Sequence, residues 1–281
     1  MQQFTLINGA PASAVSVLDR GLLYGQGLFE TVRVVKGYAP LWSLHLARLV
    51  KGMQALGLHS GHDAGLAQVQ IETEFLQLLN RPPFCSVDAT VRITVTGGEG
   101  PRGYRPPAEI APTRIIQWFA RHFVRPDNVI VALCNTRLMP TMFGGLKHCN
   151  RLEQIAAAAE LGADVFEGLV ADSQGNLVEA TSANLVCVIN DQLVTPPVES
   201  CGVAGVMREW LLANVPALTI APVSVGALET MQAAALVNSN YGVLPIHSVN
   251  LRGRAVAFGQ HDLMQALVQH ASGVFDAKEQ S

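Results

Sequence analysis

The alternation of apolar and polar residues predicts that the chain opens with hairpins. FTLING (4–9) alternates and ends at Asn8-Gly9, a pair that favours the tight turn between antiparallel strands. FETVRVV (29–35) is a second strand-like run, closed by Lys36-Gly37. Apolar residues at 41, 42, 46, 49, 53 and 56 then repeat at helical spacing up to Gly57, and a second helix is expected over about 66–79, before Asn80-Arg81-Pro82-Pro83. Two β-rich segments, 89–96 and 113–120, flank GGEGPRGYRPPAEIAP. The Gly and Pro content of that loop bars helix or central strand, and its length exceeds an ordinary connection.

After a polar break at 121–127 the pattern resumes with the strand NVIVALC, a glycine-bearing loop, and an Ala-rich helix over 150–161 stopped by Gly162. Residues 164–197 read as a meander of short strands, with turns at Ser173 to Asn176 and at Asn190-Asp191. GVAGVMREWLLANV predicts a helix preceded by glycines, LETMQAAA a short helix, LVNSNYGVLPIHSVNLRGR a strand-turn-strand unit, and 257–271 a terminal helix. Hairpins mixed with helices, without regular βαβ alternation, point to an α+β or mixed α/β fold. The expected organisation is a smaller domain over 1–120, a linker over 121–127 and a larger domain over 128–281.

Composition narrows the chemistry. The 281 residues are 49% hydrophobic and 15% charged, which excludes a disordered chain and favours an oligomer with part of its apolar surface covered. A net charge of -3 without any basic block excludes a phosphate-tracking nucleic-acid groove. The five cysteines, Cys85, Cys134, Cys149, Cys187 and Cys201, are widely and irregularly spaced and read as buried thiols of a reducing compartment. No metal-ligand spacing occurs, and His59 and His62 look like surface loop. MQQFTLINGAPAS lacks the features of a secretory leader, and Pro and Asn residues break the uncharged stretches near 210–251, so a cytoplasmic protein without membrane spans is expected.

Only four lysines occur, Lys36, Lys51, Lys147 and Lys278. Lys147, in FGGLKHCNRLEQ, lies among apolar neighbours ahead of a helix. Desolvation there would disfavour its ammonium form and suit a Schiff-base nucleophile, while a snorkelling lysine at a helix start has the same pattern. Glu179, in NLVEATSANLVCV, is either a solvent-facing strand residue or an acid aimed into a site. Gly205 and Val206 precede REWLLANV, where open backbone N–H groups would receive a phosphate. Ser239 and Asn240 are either anion donors or part of an Asx turn, and Arg48, beside His45 on a helix face, is either an anion clamp or an exposed helix residue. The glycine loop does not match a dinucleotide fingerprint, and no G-x-S-x-G elbow is present.

Seven segments in chain order carry a resemblance: LDRGLLYGQGLFETVRV, HLARL, RITVTGGEGPRGY, GGLKHCNRLEQ, EATSANLVCV, GVMRE and VNSNYGVLPI. In these the chain is similar to the fold-type IV enzymes that use pyridoxal 5'-phosphate (PLP), the two-domain superfamily of branched-chain and D-amino-acid aminotransferases. Within it the chain most resembles the lyases that act on 4-amino-4-deoxychorismate. The resemblance implies that Lys147 binds the cofactor as an imine, that Glu179 faces the pyridine nitrogen, and that Arg48, Gly205, Val206, Ser239 and Asn240 receive the phosphate. It also implies a homodimer whose sites receive a loop from the neighbouring subunit. The substrate 4-amino-4-deoxychorismate would give 4-aminobenzoate and pyruvate, a step of folate biosynthesis, with Arg102 and Tyr104 as candidates for carboxylate recognition, Arg92 as a rival for Arg102, and Thr31 as a hydroxyl partner. Alternation of Arg92 with Val91 and Ile93 shows that one side of its strand is polar without showing that it is the ligand side. Gly97, often Arg in the lyases, and Asn240, often Leu, favour the alternative, an aminotransferase of D-amino or branched-chain amino acids.

Overall fold

A computed structural model describes residues 3–58 and 64–276; His59, His62 and Lys278 lie outside the described residues. The chain divides into two compact units, one of 1–122 with 146–150 and 275–281, the other of 123–145 with 151–274.

The first unit is a five-stranded sheet with helices on one face. Its elements are β1 (Gln3–Ile7), β2 (Ala10–Pro11), α1 (Arg20–Tyr24), β3 (Gly27–Val34), α2 (Trp42–Ala55), α3 (Ala64–Leu79), β4 (Ala89–Thr96) and β5 (Thr113–Ala120). The strand order is β2-β1-β5-β4-β3, antiparallel throughout. Asn8 and Gly9 both take positive φ, as the two-residue turn joining Ile7 to Ala10 requires. Strand alternation then assigns two faces. Leu28, Val32 and Val34 of β3, Val91, Ile93 and Val95 of β4, and Ile116 and Trp118 of β5 are buried in the core, as are Leu49 and Met53 of α2 and Ile71 and Phe75 of α3. Trp42 of α2 stacks on Phe75 of α3 with ring centroids 4.0 Å apart. The opposite face carries Phe29, Thr31 and Arg33 of β3 and Thr90, Arg92 and Thr94 of β4, all half-buried.

The second unit packs two sheets around a shared core. Its elements are β6 (Ile130–Leu138), α4 (Leu152–Ala159), β7 (Glu167–Asp172), β8 (Asn176–Ala180), β9 (Asn184–Ile189), β10 (Gln192–Thr195), α5 (Val206–Asn214), β11 (Leu218–Ile220), β12 (Val223–Ser224), β13 (Ala233–Asn238), β14 (Gly242–Pro245), β15 (Ser248–Leu251), β16 (Arg254–Ala257) and α6 (Asp262–Ser272). One sheet runs β11-β10-β9-β13-β14 and the other β12-β8-β7-β6-β15-β16. Val131, Leu169, Leu177 and Val249 of one sheet pack with Leu185, Cys187, Leu236 and Leu244 of the other. A second cluster, with Cys134, Ala157, Val170 and Val178, covers the other side of β7 and β8. Strands buried on both faces lose the period-two signal, which is why this meander reads as continuous apolar runs.

Two helical expectations meet a different outcome. LETMQAAA forms a 3-10 turn over Val225–Glu229 and then enters β13 at Ala233. Ala233, Ala234 and Ala235 pair with Val188, Cys187 and Val186 of β9, so sheet pairing in the core overrides the helix propensity of alanine. The terminal helix begins at Asp262 rather than Ala257: Arg254–Ala257 form a strand paired with β15, and the His261 side chain caps the helix. None of the helices among the described residues is long and apolar enough to cross a membrane.

Candidate functional site

Lys147 is set by backbone pairing, not by a helix. The segment 147–149 adds to the free edge of β3: Phe29 N–H donates to the Lys147 carbonyl at 3.0 Å and Cys149 N–H to the Gly27 carbonyl at 2.9 Å. Asn150 Nδ2 donates to the Gly25 carbonyl at 3.0 Å, and α4 starts only at Leu152. The half-buried lysine places its Nζ 4.6 Å from the centroid of the Phe29 ring. A snorkelling lysine at a helix start is therefore not what the fold makes of this residue.

Behind it lies a buried carboxylate that the sequence pattern did not single out. Glu30 takes the apolar face of β3 between Leu28 and Val32 and is 1% exposed. Its oxygens accept hydrogen bonds from Arg48 Nε at 2.8 Å and Arg48 Nη2 at 2.5 Å, and the carboxylate meets His45 Nδ1 at 2.6 Å. His45 and Arg48 stand one turn apart on α2, so helix periodicity delivers both to one carboxylate. Burial would raise the Glu30 carboxyl, but Arg48 and His45 outweigh it and bring it down to about 2. Burial likewise holds the His45 imidazole below its ordinary value against the pull of Glu30, with Arg48 and Lys147 acting in the same direction as burial. A neutral His45 facing an ionised Glu30 donates from Nδ1, leaving its buried Nε2 an acceptor with no hydrogen-bond partner. Arg48 is thus a half-buried, ion-paired side chain rather than an exposed helix residue.

On the other face of the sheet, Thr31 lies opposite Arg92 in the register of β3 and β4. The Arg92 Cζ sits 4.1 Å from the centroid of the same Phe29 ring that Lys147 approaches, so the polar side of β4 is the side of Lys147. Burial lowers the Arg92 pKa, with Cys149 opposing. Arg102 and Tyr104 are exposed, Tyr104 at 88%. Their loop is held from below by Arg20, whose guanidinium donates to the carbonyls of Gly103 at 3.1 Å and Tyr104 at 2.9 Å. The neighbouring Asp19 caps α1 through Gly21 N–H at 2.7 Å and accepts the hydroxyls of Thr96 and Thr113, both at 2.8 Å.

In the second unit, Glu179 ends β8 and is buried at 4% exposure, which excludes the solvent-facing strand residue. It accepts Val203 N–H at 2.8 Å and Gln154 Nε2 at 3.3 Å, so backbone and amide donors fix its orientation. Gly205 is the N-cap of α5 without any side-chain cap, and Val206 is the first helical residue. A Cβ on Gly205 would lie 1.8 Å from Asn184 Oδ1, so only glycine admits the buried Asn184, whose Nδ2 donates to the Val203 carbonyl at 2.9 Å. Ser239 and Asn240 are half-buried in a turn built by Asn238, whose Oδ1 accepts the N–H groups of Asn240 and Tyr241, both at 3.0 Å. The Asx turn is real, and it presents Ser239 and Asn240 from a fixed backbone.

These residues fit PLP. The first unit carries a lysine that acts on the buried His45 and an arginine held at two N–H groups, the complement of an aldehyde and a phosphate; the second carries, by itself, an oriented buried carboxylate and an uncapped helix start, the complement of a pyridinium and a phosphate. Glu30 escaped the sequence reading because an acid between two apolar strand residues looks solvent-facing until the core face is known. Its one sequence signal is the two-residue spacing from Leu28 and Val32, which puts it on their face of the strand.

The amino-transferase class IV family matches residues 27–249. The crystal structure of 4-amino-4-deoxychorismate lyase from Pseudomonas aeruginosa is 36% identical, with 95% of this chain and 97% of that chain covered and a TM-score of 0.81. Aminodeoxychorismate lyase of Vibrio harveyi is 28% identical over 266 residues, 90% of this chain and 93% of that protein. A putative branched-chain-amino-acid aminotransferase of Methanocaldococcus jannaschii is 29% identical over 205 residues, 70% of this chain and 68% of that protein.

Proposed function

Since the chain belongs to the class IV amino-transferase family and is a fold-type IV enzyme using PLP, we propose that it is a lyase converting 4-amino-4-deoxychorismate to 4-aminobenzoate and pyruvate. The observation that carries this reading is the likeness to the P. aeruginosa lyase along nearly the whole chain. The aminotransferase reading rests on the shorter match to the M. jannaschii protein.

In this reading PLP, when bound, supplies an electron sink for charge developing at the amino-bearing carbon. Lys147 is the residue that would hold the cofactor aldehyde and, once the substrate amine has taken its place, would serve as the base for the proton at that carbon. Glu179, kept in place by Val203 and Gln154, holds the ring nitrogen protonated by ion pairing. Arg48, the N–H groups after Gly205 and at Val206, and the turn at Ser239 and Asn240 bind the phosphate. The pairing of Arg48 Nε and Nη2 with Glu30 fixes the orientation of the guanidinium toward the phosphate. Thr31 would move a proton to the departing enolpyruvyl group and Arg92 would bind a substrate carboxylate; their position on the Lys147 side of the sheet supports this reading. Loss of the ether bond makes the ring aromatic, which favours elimination over return of the proton to the cofactor.

Arg102 and Tyr104, exposed on a loop pinned by Arg20, suit a role in the site of a partner subunit within a homodimer. Incubation with 4-amino-4-deoxychorismate and no keto acid is expected to give 4-aminobenzoate and pyruvate in equal amounts. Parallel incubations pair D-alanine or a branched-chain amino acid with 2-oxoglutarate. No 4-aminobenzoate, together with rapid turnover in either parallel reaction, would make the protein an aminotransferase.

A further inference from the structure

A second arginine on the Lys147 side of the sheet has no ion-pair partner among the described residues. Arg33 follows Phe29 and Thr31 on the same face of β3, and its Cζ stacks 4.0 Å from the centroid of Phe275. Its Nε is buried with no hydrogen-bond partner, and no carboxylate among the described residues lies within ion-pair distance. The acid that acts on it is Asp88, which accepts the Lys36 N–H at 3.2 Å. Burial first, and then the like charge of Arg121, lower its pKa to about 10 against the pull of Asp88. A half-buried cation beside another cation costs stability unless an anion offsets it. Stacking on Phe275 holds the guanidinium flat and leaves its edge for a planar acceptor.

Arg92 stands opposite Thr31, and Arg33 is the next residue of that face, about 7 Å further along the strand. Two guanidinium groups therefore flank Thr31. We propose that Arg33 binds the second carboxylate of a dicarboxylic substrate, Arg92 taking the first, so that Arg33 sets the preference for two carboxylates over one. This rests on the reading that the Lys147 side of the sheet receives the substrate. Two arginines then meet two carboxylates, the ring carboxylate and that of the enolpyruvyl group.

The test compares two stable probes by calorimetry on the PLP-loaded protein: 3-(carboxymethoxy)benzoate, with two carboxylates, and 3-methoxybenzoate, with one. The wild type is expected to bind the dicarboxylate about tenfold more tightly, the scale of one charge-assisted contact. Arg33→Gln should remove that preference and leave 3-methoxybenzoate binding unchanged, whereas a purely structural role would weaken both probes alike. Equal binding of the probes by the wild type, or a preference retained in Arg33→Gln, overturns the proposal. Should Arg33→Gln not fold, Arg33→Lys decides: an ammonium lacks the two parallel donors, so the preference must shrink, and an unchanged preference again overturns it. Probe binding needs no turnover, so a failure of the lyase assay leaves this outcome readable, and the two readings fail separately.

Discussion

At the residue scale the chemistry is decided by which charges are paired and which are held for a ligand. Lys147 is fastened to β3 through its own backbone, so the path of the 147–149 segment is set by main-chain hydrogen bonds. Lys147→Ala is expected to keep the thermal unfolding profile of the stripped wild type and to lose the visible absorption of the lysine-bound cofactor. Borohydride reduction of the wild type followed by peptide mapping must place the adduct on Lys147; an adduct on Lys36, Lys51 or Lys278 would refute the assignment. Glu30 gives a second prediction, read by pH. Its folded pKa of about 2 lies below the ordinary 4.5. The stability it contributes is therefore fully present above pH 4.5 and is lost as pH falls toward 2. Glu30→Gln should destabilise by about 3–5 kcal/mol near neutrality, because it leaves the Arg48 charge without its buried partner. Urea unfolding at a series of pH values should also show a flatter acid limb, and an acid limb identical to the wild type would mean that Glu30 does not carry it.

Elements hold these residues in place by interactions outside the site. Asp19 and Arg20 are buried charged residues that tie α1, the ends of β4 and β5 and the 97–112 loop together. Asp19→Ala removes a helix cap and leaves two threonine hydroxyls without their acceptor, a loss of about 3 kcal/mol or more. The expected signature is early proteolytic cleavage within 97–112 while β13 and β14 remain protected from hydrogen exchange. Uniform loss of protection would mean that the loop is not a separately anchored element.

At the scale of the whole molecule, function requires the cofactor, and by our proposal a second copy of the chain. Ligation should raise the unfolding temperature of the stripped protein, since saturation at about 100 times Kd stabilises by about 2.7 kcal/mol. Sedimentation should give twice the 30.0 kDa chain mass. Arg102→Leu is expected to weaken substrate capture, and co-expression with the inactive Lys147→Ala should restore sites with wild-type capture, because a hybrid dimer has one site with both changes and one with neither when the loop serves the partner. No recovery in hybrids of proven composition would assign the Arg102 loop to its own chain.

Much of this organisation follows from local sequence. The strands over 89–96 and 113–120 and the helix within 41–56 obey period-two and 3.6-residue patterns, and Asn8-Gly9 dictates its turn whatever surrounds it. The family was legible as well, through the seven segments that resemble the PLP enzymes in chain order. Tertiary structure decided what local pattern leaves degenerate. It turned the alanines at 233–235 into a core strand through pairing with β9. It buried Glu30 and gave it His45 and Arg48, because the face of β3 that meets α2 is fixed only when the sheet forms. It set Arg92 beside Lys147, since side chains from β3, β4 and the 147–149 segment converge on the Phe29 ring only by long-range pairing. Sequence periodicity specifies the faces of each element, and only packing specifies which face meets which.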